Sequence, residues 1–343
     1  MDYGRIIKRA IEITLRHRVL WIFGIAVALF GGVSGKQGGG QGLQYAFSGQ
    51  DWQRFFRQGP GVPARPFSPF GPVVPWETIL PMVFGLLALL FVLGLAWIVV
   101  GILVRYTSLG ALIGMVNEIE EREETSFRAG LRIGWGRLLH LFVMNLIIGI
   151  AVFILVLVLI LILILGGLLA AVPAILLFRV GEGAGIVGIL IGVAVGLVLI
   201  LVLVLLGLAL SAAATLVREY AFRASVLDQR GIFEALGAGL GLMRSRLRES
   251  LLIWLFLAVI RLALGIVAIP LVLIGIGIVL GPALAAYGLS ESFGLAALSA
   301  VPGLLLLLLA GAFLGGLWAT FYSAAWTLTF RELRAGQTSL EAA

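Results

Sequence analysis

The sequence predicts an all-α integral membrane protein with about six transmembrane helices. The chain is 61% apolar and 12% charged, whereas soluble domains carry roughly 25% charged residues. Leu141–Gly167 and Gly183–Val217 contain no charged residue, and each exceeds the roughly 20 residues that cross a hydrocarbon core. Basic residues are concentrated in alternate connections between the apolar runs. A soluble globule could not bury this much apolar surface.

Six apolar runs define the predicted spans. They cover residues 19–33, 79–104, 138–165, 184–217, 250–280 and 301–330. The first is short and depends on its flanks to reach the headgroups. The third is followed by Gly166, Gly167 and Pro173, so a separate outer segment over 168–178 is one interpretation of that stretch. We treat residues 1–343 as a single transmembrane domain.

The distribution of positive charge predicts the orientation. Most of the 24 Lys and Arg residues lie in the N-terminal segment, in 105–137 and in 218–248. Because cytoplasmic connections are enriched in Lys and Arg, we expect a multi-pass protein of the cell (inner or plasma) membrane with both termini in the cytoplasm. This topology accounts for the net charge of +7 without nucleic acid as a partner.

The outer loop 34–76 has a different composition from the rest of the chain. It begins glycine- and glutamine-rich, which is typical of a flexible linker. Trp52, Phe55 and Phe56 then recur at i, i+3 and i+4 after Asp51, a residue suited to an N-cap. A short interfacial helix and a disordered loop with scattered aromatic residues explain this pattern equally well.

Three amphipathic, arginine-bearing stretches precede pairs of spans on the inner side. We call 3–17, 126–137 and 231–248 the inner segments. A basic amphipathic helix favours the headgroup plane. Ser211–Glu219 also resembles Ser323–Glu332, with one residue inserted. The pattern predicts three elbow-helix-plus-hairpin pseudo-repeats. The alternative is the general occurrence of arginines and small residues at inner helix ends.

Within the predicted spans, three glycines are candidates for helix packing and one arginine is a candidate for binding. Gly188, Gly192 and Gly196 share one helix face, which predicts close helix packing within the chain, or a dimer interface as the alternative. Arg261 is the one charge deep in a predicted span and is by default a functional hypothesis. We consider it a lipid- or anion-binding candidate, with Asn145 among its partners. A snorkelling or structural arginine is the alternative.

Catalytic, cofactor and metal sites are not predicted. Cysteine is absent, and no serine nucleophile with a base, His pair or carboxylate cluster stands out. The acidic run 118–124 could chelate a divalent ion. A solvated inner loop balanced by Arg122 and Arg128 explains it better.

One resemblance extends over most of the chain and is carried by residues near the last two predicted spans. Gly231–Arg244, the run into Trp254 and Ala324–Leu333 resemble poorly characterised bacterial six-helix membrane proteins. These include the membrane domain joined to some glycerophosphoryl diester phosphodiesterases. The resemblance implies a membrane-domain fold. The diesterase activity of that family belongs to a separate barrel domain with His, Glu and Asp ligands, which has no counterpart here, and the long outer loop departs from the pattern.

These patterns favour a non-enzymatic membrane protein that organises lipid or a membrane complex. Its expected partners are membrane lipids and a membrane-protein partner or a second copy of the chain. The alternative is a transporter or permeation pathway for a small or anionic solute, with Arg261 in the path.

Overall fold

The computed structural model describes residues 2–31, 76–179, 181–290 and 292–341, and within them it is helical throughout, without a strand. The predicted outer loop 34–76, with its Asp51–Phe56 helix, lies outside the described residues apart from Trp76, where a helix begins.

Eight helices make up the described part of the chain. They are α1 (Tyr3–Arg16), α2 (Val19–Gly31), α3 (Trp76–Arg122), α4 (Phe127–Phe178), α5 (Glu182–Leu227), α6 (Ile232–Ser245), α7 (Leu247–Ser290) and α8 (Phe293–Glu341).

Five of these helices, namely α3, α4, α5, α7 and α8, are long and apolar enough to cross a membrane. Counted as one span, the pair α1 and α2, which is bent by 100°, brings the number to six. The predicted all-α membrane class with about six spans is therefore confirmed. Helices are the expected solution, because hydrocarbon offers no partner for unpaired backbone groups. The threefold pseudo-repeat stays a prediction.

The long helices extend well beyond the apolar runs. α3 has 47 residues and continues past 79–104 to Arg122. Its inner end is buried, with Leu112 and Met115 fully inaccessible. Packing of this kind supplies most of the stability of helices in proteins, so the helix continues where hydropathy falls.

α4 shows the same behaviour over 52 residues. It joins the inner segment 126–137, the run 138–165 and the stretch 168–178 in one helix, so the last of these is not a separate segment. Pro173 does not end it, since a helix in lipid tolerates a proline when neighbouring groups satisfy the freed backbone.

The other two inner segments are separate helices. α1 meets α2 at His17 and Arg18, and the indole nitrogen of Trp21 donates a hydrogen bond to the Thr14 carbonyl across this bend (2.6 Å). α6 is separated from α7 at Arg246, where the backbone leaves the helical region. A bend therefore precedes α2 and a helix break precedes α7, whereas residues 127–137 are continuous with the rest of α4.

Packing divides the chain into two compact units. The first contains Met1–Lys8, Gly136–Val267 and Ala325–Ala343, and the second contains Arg9–Trp135 and Ala268–Ala324. In the second unit, α3 is exposed from Val83 to Val100 and buried over most of its inner end. In the first unit, α5 is largely exposed over 186–210 and largely buried over 219–226. Exposed, uniformly apolar helix surface of this length is stable where lipid replaces water.

Consecutive spans pack against each other within the units. In the first unit, a Cβ on Gly192 of α5 would lie 2.4 Å from the Ala170 carbonyl oxygen of α4. In the second, a Cβ on Gly303 of α8 would lie 2.9 Å from the Ile278 carbonyl oxygen of α7. Phe30 of α2 contacts Trp97 of α3, with ring centroids 5.6 Å apart. Missing side chains allow the close approaches, as in other membrane helix pairs.

Candidate functional site

Arg261 lies on an exposed face of α7 in the first unit. The neighbouring Val259 and Leu262 are 56% and 66% exposed. Among the residues that the structure describes, none forms a hydrogen bond or ion pair with the Arg261 guanidinium. This cation thus stands on an apolar helix surface without a protein counter-charge from the described chain.

Asn145, proposed as a partner of Arg261, is partly buried on α4. No hydrogen bond joins the two side chains in the described residues. Within the described chain, Asn145 therefore does not satisfy the Arg261 guanidinium by a hydrogen bond.

The three glycines of the row on α5 differ in their packing surroundings. Gly188 is buried, and Gly192 is held against the Ala170 carbonyl of α4. A Cβ on Gly196 would meet nothing within 4 Å. Close packing therefore occurs at the outer part of the row, within the chain.

A buried polar cluster on the inner part of α5 was not anticipated from the sequence. We call Glu219, Tyr220, Arg223, Ser250 and Trp326, all of the first unit, the α5 cluster. The Arg223 guanidinium donates to the Glu219 carboxylate at 2.6 Å, with the two side chains only 2% and 7% exposed. It also donates to the Glu219 carbonyl (2.8 Å). Charges this deeply buried are tolerated only when paired and hydrogen-bonded.

Tyr220 connects α5 with two other helices. Its hydroxyl donates to Ser250 Oγ of α7 (2.8 Å), and the Ser250 hydroxyl donates in turn to the Arg246 carbonyl (2.8 Å). The Tyr220 ring meets Trp326 of α8 edge to face, with centroids 5.6 Å apart. The cluster therefore joins the C-terminal part of α5 to the N-terminal part of α7 and to α8 at Trp326.

A backbone hydrogen bond and two ion pairs hold the C-terminal end of α5. The backbone N–H of Asp228 bonds to the Ala224 carbonyl (3.2 Å), ending the helix. Its carboxylate forms ion pairs with Arg334 of α8 and, at 3.5 Å, with Arg230. This network positions helix ends. The spacing of Glu219 and Arg223, four residues apart, was the available sequence signal, but both fall in a stretch assigned to an inner connection.

A small charged cleft lies between α1 and the end of α3 in the second unit. Arg9 forms ion pairs with Glu120 (2.8 Å) and Glu12 (3.0 Å). Hydrogen bonds to these two carboxylates raise the pKa of Arg9. Arg16, His17 and Glu123 also line the cleft.

His17 lines this cleft, and the ordinary pKa of an imidazole, about 6.5, lies closer to neutral pH than that of an Arg or Glu side chain. Partial burial is the largest influence and lowers the pKa of its imidazole. The positive charges of Arg16 and Arg9 lower that pKa further. The folded structure therefore favours the neutral form of His17.

The acidic run 118–124 is engaged by hydrogen-bond donors. Glu118 accepts from the Thr125 hydroxyl (3.0 Å), Glu121 from the Asn117 amide (2.8 Å), and Glu120 pairs with Arg9. Within the described residues no group of three His, Asp or Glu is arranged to hold a metal ion.

The inner segments expose large apolar side chains beside basic ones. On α1, Ile11 and Leu15 are 45% and 62% exposed, and Lys8 and Arg16 are exposed with them. The opposite face of α1, including Ala10, is buried.

The other two inner segments repeat this combination. At the start of α4, Trp135 is 65% exposed, beside the exposed Arg128 and Arg132. On α6, Phe233 is 78% exposed, and Arg244 is exposed on the same helix. Aromatic and basic side chains together are typical of a membrane–water interface.

Comparisons with known proteins bear on the family of the chain. No curated protein and no solved structure matches it. The comparisons lend no support to a link with the glycerophosphoryl diester phosphodiesterases. The family DUF7544, described as a family of unknown function, matches residues 14–330. Since this match runs from the last turns of α1 to the buried inner end of α8, the chain belongs to DUF7544.

Proposed function

We propose that this chain is a non-enzymatic integral membrane protein that organises anionic lipid around the inner ends of its spans. The observation that carries the proposal is the exposed pairing of large apolar and basic side chains on each inner segment. Such a face binds poorly to bulk water and well to the boundary between headgroups and acyl chains.

Simple energetics favour lipid as the occupant of these faces. Each basic residue near an anionic leaflet contributes about 1 kcal/mol, so Arg128 and Arg132 together contribute about 2 kcal/mol. Transfer of Trp135 out of water adds to this at ~25 cal/mol per Å² of apolar area. Three segments acting in this way would enrich anionic lipid around the protein.

A membrane-protein partner or a second copy of the chain is the other occupant to consider. Protein interfaces are depleted of charged residues at their centres. The exposed arginines lie within a turn of the exposed apolar side chains, as Arg132 does beside Trp135. That arrangement supports lipid phosphate over a protein surface.

The transport alternative requires Arg261 to line a path. Its exposure among aliphatic side chains supports contact with lipid instead. In the α5 cluster, Glu219 and Arg223 pair with each other on α5 and Tyr220 bonds to Ser250 of α7, which supports a structural role over a catalytic one.

The test is retention of anionic lipid. The protein is reconstituted in nanodiscs of mixed phosphatidylcholine and phosphatidylglycerol, and the lipid that stays bound after detergent extraction is quantified by mass spectrometry. The double variant Arg128→Gln/Arg132→Gln should lose the part of the phosphatidylglycerol enrichment that the start of α4 contributes, more so at low salt. The control Arg179→Gln, just past the other end of α4, should retain it. Equal enrichment in all three proteins would overturn the proposal.

A further inference from the structure

We infer that Arg261 binds the phosphate of a membrane phospholipid on the outward face of α7. The inference rests on the proposed function in that it places α7 in lipid. It goes further by naming one residue, one chemical group and a position along the helix.

The surroundings of Arg261 leave lipid as the source of its counter-charge. The side chain is exposed, as are the adjacent Leu262 and, one turn further along the same face, Leu264, at 66% and 51%. No acceptor for the guanidinium lies among the described residues of the chain. A cation on such a surface costs about 2.5–3.5 kcal/mol at mid-membrane unless it reaches polar groups. A phosphodiester supplies both charge and two acceptor oxygens.

The direction of the helix favours this contact. Side chains on a helix tilt toward its N-terminus. The N-terminal end of α7 carries Arg248 and Glu249, and Arg246 just precedes it. Arg261 therefore extends toward the charged end of its helix, where headgroups are nearest.

The position of Arg261 along α7 predicts a displaced headgroup. The guanidinium is attached roughly 20 Å further along the helix than Arg248, at ~1.5 Å per residue. Leu251 and Leu255, between these two levels, are 42% and 52% exposed and need acyl chains around them. Residues 262–290 carry no charge and exceed the ~20 residues needed to cross. A phosphate at Arg261 thus lies further along α7 than the level of Arg248, with enough apolar helix beyond it for a full crossing.

The next turn of α7 leaves room for the lipid. Gly265 follows Arg261 by four residues and so lies on the same face. A Cβ added there would meet nothing within 4 Å. The glycerol backbone of a lipid whose phosphate is held by Arg261 can therefore approach the helix at Gly265.

Native mass spectrometry of the detergent-solubilised protein tests the contact. With phosphatidylglycerol titrated in, Arg261→Leu should weaken binding of the tightest lipid adduct about tenfold or more. Arg261→Lys should retain part of the affinity, because it keeps the charge and loses the bidentate geometry. The control Arg179→Gln, outside the inner segments, should leave this adduct unchanged. An unchanged adduct in Arg261→Leu would overturn the inference.

Two further measurements distinguish a phospholipid site from a free-anion site and from a transport path. Displacement of the adduct by inorganic phosphate at millimolar concentration would identify a free-anion site and overturn the lipid assignment. Loss of solute flux from liposomes in Arg261→Leu, with the adduct intact, would also overturn it, in favour of transport. If Arg261→Leu keeps the adduct while Arg128→Gln/Arg132→Gln loses lipid enrichment, this inference fails and the proposed function stands.

Discussion

At the scale of single residues, the Glu219–Arg223 pair is the most demanding feature of the structure. Both charges are almost completely removed from solvent, with side chains 7% and 2% exposed. Removing two charges from water costs several kcal/mol per ion, and their attraction offsets this only with good geometry. The 2.6 Å contact and the second bond to the Glu219 carbonyl provide that geometry. Loss of one partner should therefore cost far more than the pair contributes.

Glu219→Gln should destabilise the protein by about 3–5 kcal/mol, because it leaves a buried guanidinium without a carboxylate. The free energy of unfolding is measured by circular dichroism during denaturation in mixed micelles. The matched control is Glu249→Gln, whose pair with Arg246 is 29% and 28% exposed and should cost less than about 1 kcal/mol. Equal losses in the two variants would contradict the burial argument.

The pH dependence of stability should report on His17. Its pKa is lowered in the folded state by burial and then by Arg16 and Arg9. The unfolded chain, with an ordinary pKa of about 6.5, therefore binds more protons in the window just below that value. The contribution of His17 to stability should be complete above the pKa of the unfolded chain. It should decline as the pH falls toward the lower pKa that His17 has in the folded protein.

The measurement is the unfolding midpoint between pH 5 and 8 for the wild type and His17→Gln. The variant should have a flatter profile across this range. Identical slopes would show that His17 does not contribute.

At the scale of helices, hydropathy was sufficient to identify the spans but not their ends. A run such as 183–217 is uncharged over more than a membrane thickness, and only a helix in lipid satisfies its backbone. The inner ends depend instead on tertiary contacts. Residues 106–116 of α3 are mostly buried within their unit, and no local pattern distinguishes such a helix from an amphipathic connection.

The candidate sites also differ in whether a local sequence signal identifies them. Arg261 stood out because a charge interrupts an apolar run, which is a purely local signal. The α5 cluster did not, because arginines near an inner helix end are expected from the positive-inside rule. Its partners Ser250 and Trp326 come from distant parts of the sequence. Only the fold brings them together.

The glycine row on α5 offers a comparison between two positions of one helix. Gly192→Ala should destabilise the α4–α5 pair by about 1–3 kcal/mol, since the new Cβ would lie 2.4 Å from a backbone oxygen that cannot move freely. Gly196→Ala should be neutral or stabilise by up to about 1 kcal/mol, because its surroundings are open and alanine favours helix. Both are measured by unfolding in mixed micelles. A loss at Gly196 equal to that at Gly192 would indicate a contact outside the described chain, such as a second copy.

At the scale of the whole molecule, the charge asymmetry predicts which side of the membrane each helix end faces. Arg128, Arg132 and Arg137 precede the apolar part of α4, whereas the far end of that helix is followed by Arg179 alone before Glu182. The helix ends that flank the short connection between α3 and α4 carry Arg122, Arg128 and Arg132, and basic residues near the ends of spans favour the cytoplasmic side. The turn between α7 and α8 should then face the opposite side.

The absence of cysteine from the sequence makes this orientation directly measurable. Glu124→Cys places a thiol at an exposed position between α3 and α4, and Ser290→Cys places one at the exposed end of α7. In intact cells a membrane-impermeant maleimide should label Ser290→Cys and leave Glu124→Cys unlabelled until the membrane is permeabilised. The wild type, which has no thiol, sets the background. The reverse pattern would place the arginine-rich inner segments outside the cytoplasm, where anionic lipid is scarcer, and would remove the electrostatic basis of the proposed function.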